Sequence, residues 1–353
     1  MLLKNMYVEN RMKLRDVVPL EMPLCVSIEP TNLCNFKCVM CFHGNNEYAE
    51  EAKPLKNMSM DVFDKTIRDL KRWKEKTGGK KIKLIKLYSL GEPLLHKEII
   101  VMLRKIKEAD ICDQVEITTN GSLLSEKMAE ELVYYGLDIL RISVYSVKKE
   151  HCRYITGSGI EPDEIRDNVI YLKKYREQQG KELPRIFAKM IDTYSDENEM
   201  FIQQWSGVAD VVGIDAPFQL NSGENDVFEQ LYSQDAAKAH EQALGTNLFT
   251  DRKVCRYPFT HMTVRNDGRV VVCCADWLRE TCIGDVMTQS LEEIWTSKKL
   301  YDFRCNMLVS KGMDVEACRN CELPYRDLPE DDLDGFPMEK LTYVDIGEDE
   351  GTC

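Results

Sequence analysis

No apolar run in this chain approaches the ~20 residues that a membrane-spanning helix needs. The opening stretch, MLLKNMYVENRMKLRDVV, has neither a continuous apolar core nor a small-residue cleavage site, so it does not read as a signal peptide. A cytoplasmic protein with no membrane role is the expectation. Basic residues form no stripe, which argues against a nucleic-acid partner. There is no internal repeat of fixed period, and the one biased tract is acidic. Of the net charge of −13, residues 327–353 carry −9, which leaves −4 for everything before them. That end reads as a solvated, partly disordered tail.

Cysteine, in contrast, is plentiful, with 14 residues. Disulfides are disfavoured in a reducing cytosol, and uneven, clustered spacing points to metal or cluster ligation. Cys34, Cys38 and Cys41 stand at C-x3-C-x2-C spacing. A structural zinc site takes four protein ligands, and an iron–sulfur cluster normally takes four thiolates. Three thiolates on a [4Fe–4S] cube leave one iron without a protein ligand. An open coordination position is what a catalytic metal needs.

Short β-type runs alternate with helical patterns along the first two thirds of the chain. Residues 25–29, 82–87, 114–118, 138–144, 185–191 and 209–214 read as strands. Residues 60–74, 97–109, 125–135, 163–178 and 196–206 read as helices, the first capped by Ser59 and carrying Phe63, Ile67, Leu70 and Trp73 at helical spacing. Six βα units predict the α/β class, as an open, partial (βα)6 TIM-like barrel with helices outside. In such folds the chemistry sits at the C-terminal ends of the strands. Residues 226–243 have helical character. From about 251 the organisation changes to short β-type runs around an Asn266-Asp267-Gly268 turn. The expected plan is an N-terminal extension (1–21), a barrel (22–221), a helical linker (222–250), a small cysteine-bearing domain with a β-hairpin (251–326) and the acidic tail (327–353).

The stretch IEPTNLCNFKCVMC resembles the signature loop of the radical S-adenosylmethionine (radical SAM) superfamily, with Met40 where an aromatic often precedes the third cysteine. The resemblance implies that S-adenosylmethionine chelates the open iron and yields a 5′-deoxyadenosyl radical, which abstracts hydrogen from a substrate. Leu90-Gly91-Glu92-Pro93, after the second run, resembles the family's GGEP motif with Leu90 in place of the first glycine. By that resemblance Gly91 and Glu92 hold the ammonium of S-adenosylmethionine. Thr119-Asn120-Gly121 follows the third run, which brings Asn120 to the same cofactor. Ser143, at the end of the fourth, matches a position that contacts the ribose or carboxylate. Arg153 and Lys189 are the candidates for the basic residue that binds the carboxylate.

Past the barrel, Cys255-x12-Gly268-x4-Cys273 is followed by Cys318-x2-Cys321. A hairpin turning at Gly268 would bring Cys255 and Cys273 together. Cys318 and Cys321 would close a fully ligated site, suited to electron transfer or structure. The spacing favours Cys273 over Cys274, and a structural zinc ribbon is the alternative occupant. The pattern resembles the SPASM/twitch extension of radical SAM enzymes, as do Ile283-Gly284-Asp285-Val286 and Leu291-Glu292-Glu293-Ile294-Trp295. It implies one auxiliary [4Fe–4S] cluster, hence two clusters in all. Of the other cysteines, Cys152 and Cys282 are the candidates for returning a hydrogen atom to a substrate radical.

The first expectation, given that resemblance, is hydrogen abstraction from a small molecule such as a sugar, aminocyclitol or nucleotide sugar. The outcome would be alcohol oxidation or epimerisation, with an external electron donor such as flavodoxin or ferredoxin. Asp215 and Asp192, after the sixth and fifth runs, are the candidate proton acceptors. Two alternatives stand beside this reading. One is a peptide- or protein-modifying radical SAM enzyme, for which the few residues before the first strand leave little room for a leader-binding domain. The other is a zinc-binding scaffold without enzymatic activity.

Overall fold

The computed structural model describes residues 11–44, 53–215 and 252–343. Strands β1 (Cys25–Ile28), β2 (Ile82–Lys86), β3 (Cys112–Thr119), β4 (Ile139–Val144), β5 (Arg185–Ile191) and β6 (Val211–Asp215) lie parallel, side by side in chain order. All six runs read as strands in the sequence are strands. Parallel strands covered on both faces need apolar side chains on the helix side. Val26, Ile85, Ile117, Leu140, Ile142 and Ile186 meet that need and are fully buried.

Helices cover that outer face. Ser59 accepts a bond from the Val62 amide at 3.3 Å and starts α1 (Met60–Lys76). Phe63 and Leu70 of α1 are buried against the sheet, at about 1.5–3 kcal/mol of hydrophobic stabilisation each. Helices α2 (Ile99–Ala109) and α3 (Glu126–Tyr134) follow β2 and β3. After β4 come two helices, α4 (Lys149–Thr156) and α5 (Pro162–Gln178), where the sequence pattern predicts only the second. Helix α6 (Glu197–Trp205) precedes β6.

The C-terminal hairpin does not stand apart from the barrel sheet. Strand β7 (His261–Val264), entered through the short helix α7 (Tyr257–Thr260), pairs parallel with β1. Strands β8 (Arg269–Val271) and β9 (Cys282–Asp285) continue antiparallel, giving one nine-stranded sheet in the order β6-β5-β4-β3-β2-β1-β7-β8-β9. The β7–β8 turn uses Gly268 at φ +98°, a conformation that a side chain resists. Helices α8 (Leu291–Thr296), α9 (Lys298–Ser310) and α10 (Glu316–Arg319) complete this part. The helical stretch expected at 226–243 lies outside the described residues. Among the described residues no helix is long and apolar enough to cross a membrane.

The first part of the acidic tail is packed rather than solvated. Leu333, Phe336 and Leu341 join Leu14, Val18 and Met307 in a second core. The acids find cations: Asp327 pairs with Arg256 at 2.6 Å, Asp331 with Arg11, and Asp334 with Lys253 and Lys311 at 3.2 Å. Apolar residues interleaved with the acids let 327–343 dock, which a count of charge alone does not reveal.

Candidate active site

The loop that leaves β1 carries Cys34, Cys38 and Cys41 at the C-terminal end of the sheet. It is fixed from three sides. The Lys37 and Val39 amides donate to the carbonyls of Thr156 and Ile155 at 2.9 Å, so the loop runs along the end of α4. Phe36 is buried with its ring centroid 5.8 Å from that of Tyr145. The Asn35 side chain bridges to Asn120 and Ser122 at 2.9 Å. Burial pushes the Cys41 thiol up to about 11 and raises those of Cys38 and Cys34 as well, with Cys34 and Cys41 adding to the effect at Cys38. Thiolates at this place need a positive centre among them.

Gly91 brings the next loop against this one. A Cβ on Gly91 would lie 2.4 Å from the Thr31 carbonyl and 2.5 Å from that of Leu33. The Glu92 amide donates to Leu33 at 2.8 Å. Glu92 itself is buried. Its carboxylate accepts from the Leu94 amide at 3.0 Å, the Thr119 hydroxyl at 2.7 Å and the Asn120 amide at 2.8 Å. Burial lifts its pKa to about 7 against the pull of these three donors. Glu92 therefore ties the loops after β2 and β3 together beside the cysteine loop, with Asn120 joined to both.

Next to these loops, at the C-terminal ends of β3–β6, lies a cavity of about 310 Å³. Met40, Ser143, Tyr145, Lys189 and Asp215 line it. Lys189 and Asp215 pair at 2.5 Å. Three lining residues that motif reasoning misses are Tyr88, Arg141 and His151. The Tyr88 hydroxyl donates to Glu116 at 2.5 Å, and Arg141 pairs with the same carboxylate at 2.9 Å. The alternation of polar Arg141 and Ser143 with apolar Leu140, Ile142 and Val144 carries that signal, because alternate strand residues share a face. His151 Nδ1 meets Glu197 at 2.8 Å. Among the described residues its Nε2 has no hydrogen-bond partner. Burial by itself would raise the Glu197 carboxyl, but bonds from His151, Ser146 and the Val147 amide hold it down at about 2. No sequence motif marks this pair, which joins α4 to the start of α6, 46 residues apart.

Other expected residues lie elsewhere. Arg153 is on the outer surface and pairs with Glu150 and Glu161 at 3.2 Å. Asp192 accepts from the Tyr194 amide at 2.8 Å and the Asn198 side chain at 2.7 Å, and does not line the cavity. Cys152 is buried in α4, and Cys282 is buried at the start of β9, two strands beyond β7. Neither lines the cavity.

The second cysteine group lies away from this cavity. Cys255, Cys273, Cys318 and Cys321 line one small void together, and Cys274 is not among its lining residues. Among the described residues no three His, Cys, Asp or Glu side chains are drawn closely enough for a single ion.

Two family models match the chain: the radical SAM superfamily over residues 28–178, and the SPASM iron–sulfur cluster-binding domain over residues 255–322. The chain is a radical SAM protein with a SPASM domain. These two domains together take S-adenosylmethionine and two iron–sulfur clusters. Both cysteine groups fit that use: the three-cysteine loop packs against Gly91 through Thr31 and Leu33, and four cysteines line one void. A relative similar along most of its length is the tungsten-containing aldehyde ferredoxin oxidoreductase cofactor-modifying protein of Pyrococcus furiosus, 27% identical across 92% of each chain. Among solved structures, BtrN in complex with AdoMet and 2-DOIA shares the radical SAM fold at TM-score 0.55 and 16% identity, over 85% of this chain and 93% of BtrN. Streptococcus suis SuiB bound to S-adenosylmethionine does so at TM-score 0.59 and 17% identity, over 88% of this chain and 74% of SuiB.

Proposed function

We propose that this radical SAM protein abstracts a carbon-bound hydrogen from a small polar molecule bearing a hydroxyl group, leading to oxidation or epimerisation at that carbon. The observation that carries the reading is the cavity of about 310 Å³ between the cysteine loop and β4–β6, whose walls offer Arg141, Lys189, Asp215 and His151. Its size suits a small ligand, and its paired charges suit one with several hydroxyl or amino groups. Cys34, Cys38 and Cys41 would hold the cluster that binds S-adenosylmethionine, and Cys255, Cys273, Cys318 and Cys321 the auxiliary one. Gly91, Glu92, Asn120 and Ser143 would bracket S-adenosylmethionine itself. Bound S-adenosylmethionine would supply the hydrogen-abstracting radical, and the auxiliary cluster a one-electron acceptor.

This chain's own side chains supply binding and proton handling. Arg141, locked by Glu116, and Lys189, locked by Asp215, would orient the hydroxyls without changing rotamer. Oxidation of an alcohol needs an acceptor for the hydroxyl proton. His151, which lines the cavity with its Nδ1 on Glu197, would serve, and Asp215 is the second candidate. The electron donor would be an external protein such as flavodoxin or ferredoxin.

A second reading keeps the chemistry and changes the substrate. The Pyrococcus furiosus relative is named for modifying the cofactor of a tungsten-containing oxidoreductase, and it aligns with this chain over 92% of both. The cavity would then receive part of such a cofactor. The test is 5′-deoxyadenosine formation by the reconstituted, reduced protein, supplied with separated small-molecule and peptide fractions of a cell extract. Stimulation by a small-molecule fraction, abolished in His151→Ala and Lys189→Ala, is expected. Stimulation by peptides alone would overturn the small-molecule reading and favour a peptide substrate.

A further inference from the structure

Arg252 is 5% exposed and lines the void formed by Cys255, Cys273, Cys318 and Cys321. Its guanidinium is used wholly on backbone carbonyls. Nε donates to Lys311 at 2.6 Å, one terminal nitrogen to Arg319 at 3.1 Å and Cys321 at 3.3 Å, and the other to Cys318. Lys311 closes α9, and Cys318 and Arg319 lie on α10. One planar fork thus gathers the end of one helix and the turn that presents two of the four thiols, a geometry that a lysine cannot reproduce.

The charge is as notable as the shape. Among the described residues no carboxylate pairs with Arg252. Asp276 is the carboxylate that lines the void with Arg252. The Asp276 carboxylate is engaged by Thr281 and the Glu280 amide at 2.7–3.1 Å, and Asp327, near Cys255, is paired with Arg256. Burying a guanidinium on carbonyl dipoles alone leaves much of its desolvation cost unmet. An anionic cluster of four thiolates in the adjoining void supplies the missing counter-charge.

We propose that Arg252 is a positioning residue for the auxiliary iron–sulfur cluster and, as its buried unpaired cation, raises that cluster's reduction potential. A positive charge beside a cluster favours the reduced, more negative state. The surrounding side chains thereby tune the centre that their ligands hold.

The test uses the full chain with Cys34, Cys38 and Cys41 changed to Ala, so that only the auxiliary cluster remains. Arg252→Gln and Arg252→Lys are added to that parent. Each is reconstituted anaerobically, assayed for iron and sulfide, and titrated for its midpoint potential by EPR. Both variants should hold less iron than the parent. The potential should fall in Arg252→Gln and stay close to the parent's in Arg252→Lys. Full iron at the parental potential in Arg252→Gln would overturn the proposal, as would an equal fall in both variants. If Arg252→Gln holds no iron, Arg252→Lys decides: an unchanged potential supports the charge role, and a fall overturns it. Iron lost from both with the parental circular dichroism kept supports the positioning role. Iron lost together with the fold counts against the assignment, since Arg252 would then be a general structural residue.

Discussion

Gly91 has no room for a side chain, because its Cβ direction ends within 2.5 Å of two carbonyl oxygens on the cysteine loop. Gly91→Ala must therefore push the β1 and β2 loops apart. Overpacking of this kind costs about 1–3 kcal/mol. Urea unfolding should show that loss, and S-adenosylmethionine binding, read by equilibrium dialysis, should weaken more than ten-fold. Glu197 offers a second test. Its carboxyl is held at about 2 in the folded chain against an ordinary value of 4.5. A depressed acid adds stability above its unfolded value and loses it as pH falls through the folded one. Glu197→Gln should destabilise the cluster-free protein by about 2–3 kcal/mol at pH 7. That difference should shrink steadily between pH 4.5 and 2, as followed by urea unfolding at several pH values. A pH-independent difference would mean that shape rather than charge sets the contact.

At the scale of elements, the seam between β1 and β7 joins the radical SAM part to the SPASM part. Glu29, just past β1, is fully buried with Arg265, just past β7, at 3.1 Å. The same carboxylate accepts from the Leu90 amide at 3.2 Å and the Asn266 amide at 3.1 Å. It thus links the loop that carries Gly91 to the hairpin that carries Cys273. Glu29→Ala leaves a buried guanidinium unpaired, and should cost about 3–5 kcal/mol in chemical denaturation. Adding Arg265→Met should recover much of it, since removing both charges removes the unmet desolvation. The six barrel strands were legible in the sequence because apolar residues recur in runs bounded by Gly, Pro and Asn. The seam was not. A β-hairpin strand such as 261–264 reads the same whether it stands in its own small domain or docks on β1. Helix α4 was missed for a related reason: its eight residues hold one buried stripe, Cys152, Ile155 and Thr156, too short to show a period.

At the scale of the molecule, one sheet carries two thiol groups with a polar cavity beside the first. The cysteine spacings announced both groups, because ligation fixes residue type and local separation together. The cavity was legible only in part. Ser143, Lys189 and Asp215 sit at strand ends that the βα pattern locates, and they do line it. His151, Glu197 and Arg252 come from a short helix, a helix start and the segment before β7, and only tertiary packing brings them to the sites. Arg153 and Asp192 went the other way: both follow strands, but their charges are satisfied on the surface or within a turn. The most direct test of the account is iron and acid-labile sulfide per chain after anaerobic reconstitution, with zinc measured alongside. Two cubes predict about 8 iron per wild-type chain, falling to about 4 when Cys255, Cys273, Cys318 and Cys321 are changed to Ala. About 4 iron plus one zinc in the wild type would contradict it, since the second group of thiols would then hold a structural, redox-inert zinc that cannot accept an electron.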